Sequence, residues 1–185
     1  MQPNRRIPTR RGGFTLIEVM VCIVILSIAI SGFTGSLVAA LGMNRVQRET
    51  VLARQAAQEM LETMQGRTFS EVFAAFNGSN ADDGALVGAA VGCDFAVPGL
   101  EAIDGDADGL AGEVLFPDAG NGPLWLAEDE VDAALGLPAD LNGDGAIDNA
   151  NHAADYRLLP VRVRVEWRSS TGERHLDLET FLCQR

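Results

Sequence analysis

The sequence predicts an α+β fold, with one long N-terminal helix followed by a small antiparallel sheet. Three observations carry this. Residues 14–41 form an apolar run, FTLIEVMVCIVILSIAISGFTGSLVAAL, that passes into a helical pattern ending near Gln65. Two stretches near the C-terminus alternate apolar and polar residues around a turn of Ser, Thr and Gly. Between helix and hairpin lies an acidic stretch with little periodicity, residues 98–155.

The helix is read in two halves. Residues 14–41 are 28 residues with one formal charge, Glu18, and about 20 apolar residues are enough to cross a bilayer. Residues 42–66 form the soluble half. There Val46, Ala53, Ala57, Met60, Leu61 and Met64 recur at helical spacing. Arg45, Arg48, Glu49, Arg54, Glu59 and Glu62 fall mostly elsewhere, and Gly66 is a suitable C-cap. A helix from Phe14 to Gln65 would be about 78 Å long at 1.5 Å per residue. Gly32, Gly35 and Gly42 either loosen its middle or allow close helix packing in a membrane. A short second helix follows over Thr68 to Phe76. Thr68 and Glu71 suit a capping box, Phe69, Val72, Phe73 and Phe76 make its apolar face, and Asn77-Gly78 stops it.

In the hairpin, Val161, Val163, Val165 and Trp167 alternate with Arg162, Arg164, Glu166 and Arg168. Leu176, Leu178, Thr180 and Leu182 alternate with His175, Asp177, Glu179 and Phe181. Pairing Trp167 with Arg174 sets Val165 opposite Leu176 and Val163 opposite Leu178. It also sets Arg164 against Asp177 and Arg162 against Glu179, so both faces agree. Val91, Cys93, Phe95 and Val97 predict a third strand, and Glu113 to Phe116 a fourth.

The formal net charge is −12, which argues against nucleic acid as a partner. The charge is segregated. Arg5, Arg6, Arg10 and Arg11 precede the apolar run, whereas Thr68 to Tyr156 holds many carboxylates and no Lys or Arg. Such a stretch repels itself unless something neutralises it.

Four arginines before an apolar span place the N-terminal end in the cytoplasm and the C-terminal part outside. A cleaved signal peptide, with small residues at Ser31-Gly32 or Ala39-Ala40, and a plain anchor are both compatible with that. Neither accounts for Glu18. A carboxylate in the apolar part of a membrane helix costs roughly 2.5–3.5 kcal/mol on insertion scales and is usually functional.

The segment Arg10-Arg11-Gly12-Gly13-Phe14-Thr15-Leu16-Ile17-Glu18-Val19 resembles the processing site of type IV prepilins and type II secretion pseudopilins. The resemblance implies that a prepilin peptidase removes residues 1–13 as a leader, cutting between Gly13 and Phe14, and methylates the new N-terminus at Phe14. Glu18 becomes the fifth mature residue, which that family keeps acidic and uses in assembly. It implies a pilin-like architecture, a transmembrane α-helical stalk packed on a small antiparallel β-sheet head (residues 67–185). It also implies a single-pass protein of the bacterial inner membrane with a periplasmic or extracellular head. The partners implied are other pilins or pseudopilins in a filament and an inner-membrane assembly platform. The leader and terminal hairpin look most like the minor pilins and pseudopilins of the PilV and GspI groups, from which the acidic insertion departs. Many members close a C-terminal loop with a disulfide; here Cys93 and Cys183 either pair in that way or remain free.

The acidic insertion carries a second motif. Calcium takes six to eight oxygens, and a tight loop supplies them from positions 1, 3, 5, 7 and 9 with Gly at 6. Asp140, Asn142 and Asp144 stand at 1, 3 and 5, Gly145 at 6, the Ala146 carbonyl at 7 and Asp148 at 9. Position 12 is Asn151 rather than Glu or Asp, which calls for another carboxylate such as Asp155. Asp104, Asp106 and Asp108 begin the same way, with Glu113 as the extra ligand. The plain alternative is a solvated Asp/Gly loop. A calcium ion here would be structural.

No catalytic constellation is recognisable: the chain has no Walker loop, no Gly-x-Ser-x-Gly and no zinc-spaced His pair. His152 and His175 read as surface residues. The expected function is therefore non-enzymatic, a filament subunit. A membrane-anchored, calcium-dependent surface binding module is the alternative.

Overall fold

The computed structural model describes residues 13–84 and 92–184. The chain divides into two compact units at Asn44/Arg45. The first helix, α1, spans Leu16–Gln65 without a break.

In the first unit every residue from Gly13 to Asn44 is exposed. The best 18-residue window of α1 has a mean hydropathy of 2.6, long and apolar enough to cross a membrane. Its hydroxyls are internally satisfied. Ser27 donates to the Ile23 carbonyl at 2.8 Å, Ser31 to Ser27 at 2.9 Å, Thr34 to Ile30 at 2.9 Å and Ser36 to Gly32 at 3.2 Å. Polar side chains tied to their own backbone remove most of the cost of placing them in hydrocarbon.

In the second unit α1 buries Glu49, Ala53, Ala57, Met60 and Met64, one stripe at steps of three and four. Glu49 thus belongs to the core face, against the sequence expectation. Its carboxylate accepts from the Ser169 hydroxyl, from Trp167 Nε1 at 3.4 Å and from Arg45 Nε at 3.0 Å. These donors compensate the burial of the charge. Helix α2 spans Phe69–Phe76 and buries Val72, Phe73, Ala75 and Phe76. The expected capping box is absent: the Thr68 side chain makes no cap bond, and Thr68 contributes its carbonyl to the Glu71 N–H at 2.9 Å. Gly78 ends the helix at φ +75°, where a Cβ would lie 2.6 Å from Cys93 Sγ. Only glycine fits that position without displacement.

The sheet has four antiparallel strands in the order β1-β2-β3-β4. They are β1 (Asp94–Phe95), β2 (Gly112–Leu115), β3 (Leu158–Ser169) and β4 (Gly172–Cys183). The β3–β4 register matches the expected one: Trp167 opposes Arg174, Val165 Leu176, Arg164 Asp177, Val163 Leu178 and Arg162 Glu179. Arg164 grips Asp177 with two bonds of 2.9 Å. The predicted third strand shrinks to two residues in β1, and Val91 lies outside the described residues. Phe95 sits opposite Gly112, where a Cβ would meet its ring at 2.3 Å. The bare backbone of Gly112 seats that ring. Leu159, Val161, Val163, Val165 and Trp167 of β3 are fully or almost fully buried and share one core with α1 and α2.

The long irregular connection from β2 to β3 has its own anchors. Leu126, Leu135, Leu137 and Leu141 reach the core. The Tyr156 hydroxyl donates to the Phe69 carbonyl at 2.7 Å, and its ring lies 5.0 Å from that of Phe69. Part of the charge problem is solved here: Arg162 reaches Asp132 at 2.6 Å, and Arg168 reaches Asp104 at 2.6 Å and Glu101 at 3.1 Å.

Cys93 and Cys183 are both free, so the disulfide is not formed. Cys93 adjoins β1 and Cys183 ends β4, at opposite edges of the sheet. Three inter-strand steps put them about 14 Å or more apart, whereas a disulfide needs Cα atoms within about 7 Å. The Cys93 thiol is pushed up to about 12 by burial and by the Asp94 carboxylate it bonds at 3.2 Å. Maleimide labelling of the folded chain should therefore be fast at exposed Cys183 and slow at Cys93, whose rate should keep rising with pH towards about 12. Equal labelling at pH 8, or a Cys93–Cys183 peptide in a non-reducing digest, would contradict this arrangement.

Candidate functional site

The N-terminal segment is built simply. Gly13 and Phe14 precede the helix, and Phe14 is 81% exposed. Among the described residues a Cβ at Gly13 would meet nothing within 4 Å, and the peptide bond between the two lies in non-helical backbone. Thr15 starts α1: its hydroxyl accepts the Glu18 N–H at 3.3 Å and its carbonyl the Val19 N–H at 3.2 Å. Thr15 thus caps the helix and fixes Glu18 in the first turn, where the helix dipole favours a negative charge. Among the described residues the Glu18 carboxylate has no hydrogen-bond or ion-pair partner. Arg10 and Arg11 lie outside the described residues.

The first acidic loop is tightly organised. Both Asp140 carboxylate oxygens accept backbone N–H groups, those of Gly143 and Gly145. These bonds, the Gly145 one foremost, hold its carboxyl below the usual range. Asn142 Oδ1 accepts the Asp144 N–H and Asp144 Oδ1 accepts the Ala146 N–H. Asp155 is brought in: Asn142 Nδ2 lies 3.3 Å from an oxygen of Asp144 and 3.3 Å from one of Asp155. Asn151 is used elsewhere, donating to the Leu124 carbonyl and accepting the Leu126 N–H. Asp148 engages His152, its Oδ1 being 3.3 Å from His152 Nε2.

The second loop does not gather as expected. Asp104 is drawn off to Arg168, and Asp108 accepts the Leu110 N–H at 2.9 Å. Asp106, Asp108 and Glu113 do line one cavity of about 120 Å³, together with Asp94, Glu166 and Arg164. Burial and then the cross-strand carboxylate of Asp94 push the Glu113 carboxyl up.

Two side chains here were not singled out by sequence reasoning. His152 is only 4% exposed and Glu128 only 1%, so His152 is no surface residue. Glu128 Oε1 accepts the Leu141 N–H at 2.6 Å and the Asn142 N–H at 3.1 Å, and thereby holds the start of the acidic loop. Its Oε2 lies 3.5 Å from His152 Nε2. His152 Nδ1 lies 3.2 Å from Asp155 Oδ1. Burial alone would depress the imidazole; the carboxylates of Asp148, Glu128 and Asp155 outweigh it and raise its pKa. The i,i+4 spacing of Asp148 and His152 was the available signal. Nothing local in the sequence marks Glu128.

Residues 8–34 match the family described as Prokaryotic N-terminal methylation motif. No curated protein and no solved structure matches the chain.

Proposed function

We propose, from the premise that the chain is a type IV prepilin- or pseudopilin-like precursor, that it becomes a structural subunit, of the minor kind, in a type IV pilus or type II secretion pseudopilus. Prepilin peptidase cuts between Gly13 and Phe14 and methylates Phe14. The mature chain waits in the inner membrane by α1 with its head outside, and enters the filament through that helix, beside other pilins and from the assembly platform. The observation that carries this is the position of the motif on the helix. Gly13 and Phe14 lie just before the first turn and Glu18 is exposed within it, with a long exposed apolar surface behind.

Mass spectrometry of the N-terminal peptide from native membranes tests it. A peptide beginning at methylated Phe14 is expected. An intact leader in a strain with active peptidase would favour the second reading, a membrane-anchored, calcium-dependent surface binding module. A start after Gly32 or Ala40 would exclude both.

Calcium enters either reading as a structural ion in the loop of Asp140, Asn142, Asp144, Ala146 and Asp148. Its support is the convergence of Asp144 and Asp155 oxygens on the one Asn142 amide group, where a cation would be held by the same carboxylates. Asp106, Asp108 and Glu113 form a weaker second candidate, with Asp104 committed to Arg168. Calcium at about 100 times its dissociation constant adds about 2.7 kcal/mol. Calcium should thus raise the melting temperature by several degrees, and Asp140→Ala should abolish the rise. An unchanged melting curve in millimolar calcium would end the calcium proposal and leave the filament role intact.

A further inference from the structure

Among the described residues, Glu128, Asp148 and His152 form one group whose ligand atoms all lie within 4.8 Å of one another. Two of its separations are informative: His152 Nε2 is 3.3 Å from Asp148 Oδ1 and 3.5 Å from Glu128 Oε2. A charge-assisted hydrogen bond from an imidazolium would draw its acceptor to about 2.7–2.9 Å. Both contacts are longer, as is that of Nδ1 with Asp155 Oδ1 at 3.2 Å; what sets Nε2 apart is that its single proton has two acceptors to serve. The edge of a tetrahedron with metal–ligand bonds of about 2.0–2.1 Å is about 3.3–3.4 Å. The two distances from His152 Nε2 lie within about 0.2 Å of that edge, and the third separation, between the two carboxylates, lies within 4.8 Å.

The surroundings point the same way. Glu128 is buried, and its Oε1 is consumed by the Leu141 and Asn142 N–H groups. Among the described residues, its Oε2 faces the imidazole at 3.5 Å, in a stretch from Thr68 to Tyr156 without a single Lys or Arg. A buried carboxylate needs a cation or strong donors. On the far side of the ring, His152 Nδ1 faces Asp155 Oδ1 at 3.2 Å. A carboxylate there holds the proton on Nδ1 and turns the Nε2 lone pair towards the other two ligands, as outer carboxylates do at histidine-bound metals.

We infer that Glu128, Asp148 and His152 form a site for a transition-metal dication of the zinc class, with Asp155 as the orienting carboxylate and a fourth position open to water. The nitrogen ligand sets it apart from the all-oxygen calcium loop. The two share Asp148, whose place in such a loop is often filled through water, and Asp155, whose Oδ1 faces His152 and whose Oδ2 faces the loop at Asn142, so both ions can be held. The zinc-class ion ties Glu128 to the Asp148–His152 turn and staples the irregular connection before β3.

The test is a cobalt(II) titration of the full chain in detergent after chelator treatment. One cobalt per chain is expected, with the intense visible bands of tetrahedral coordination. Zinc should displace it, and millimolar calcium should not. Asp148 is half-exposed, its side chain 53% accessible, so Asp148→Ala should fold while binding cobalt at least tenfold more weakly. Asp140→Ala should bind cobalt as wild type even where its calcium response is lost. Absent bands, bands unchanged in Asp148→Ala, or displacement by calcium would each overturn the site, and none of these bears on the filament role.

Discussion

Replacing Glu18 by Val should leave leader cleavage intact and remove the subunit from filaments. The proposed cleavage after Gly13 would free an ammonium on Phe14 at the start of a segment exposed along its whole length. In a filament core both that ammonium and the Glu18 carboxylate leave water. Each alone is expensive to bury, and a pair on neighbouring helices cancels much of the cost. Breaking a buried pair by removing one partner costs about 3–5 kcal/mol, a loss of roughly two to four orders of magnitude in affinity. The Val variant also makes α1 a better membrane helix, since one charge is gone. It should accumulate as processed protein in the membrane. Immunoblots of sheared filaments against membrane fractions measure this. Wild-type incorporation of processed Glu18→Val would refute the assembly role.

Trp167→Ala should be the most damaging single change in the head. Trp167 is 2% exposed in the centre of the core and donates Nε1 to Glu49 Oε2. Truncation opens a cavity and removes one of the donors that compensate a buried carboxylate. Phe/Trp→Ala changes in cores cost about 3–5 kcal/mol. For a unit of this size that is a fall in melting temperature of about 6–20 °C, at roughly 2–4 °C per kcal/mol. Trp167→Phe keeps most of the apolar area and should cost less than half as much. Thermal unfolding followed by circular dichroism reads both. A drop below about 3 °C for Trp167→Ala would mean that this contact does not secure α1 to β3.

The legible parts of the fold were those with a period. Alternation over residues 161–168 and 175–182 determined the β3–β4 register down to Arg162–Glu179, because a slip of one residue would expose every valine. The buried stripe on α1 was legible for Ala53, Ala57, Met60 and Met64 and not for Glu49. Pattern reasoning assigns a carboxylate to the wet face; the donors that make Glu49 burial tolerable come from Ser169 and Trp167, far along the chain. The same holds for Glu128 and His152. Their burial depends on how a long aperiodic connection closes on itself, which no local rule encodes. The choice between paired and free Cys93 and Cys183 stayed open for a related reason: pairing requires knowing which edge of the sheet each strand occupies. The N-terminal motif needed no tertiary information, since its match lies within one contiguous segment, residues 8–34.

The back-bonded hydroxyls of Ser27, Ser31, Thr34 and Ser36 have a mechanical consequence. With those groups turned inward, the apolar half of α1 offers its neighbours dispersion contacts, which are non-directional and change little when helices slide or rotate. In the proposed filament such a bundle has low internal friction. It can stretch or twist under load, with the ionic pair at Glu18 as the detent that returns each subunit to its place.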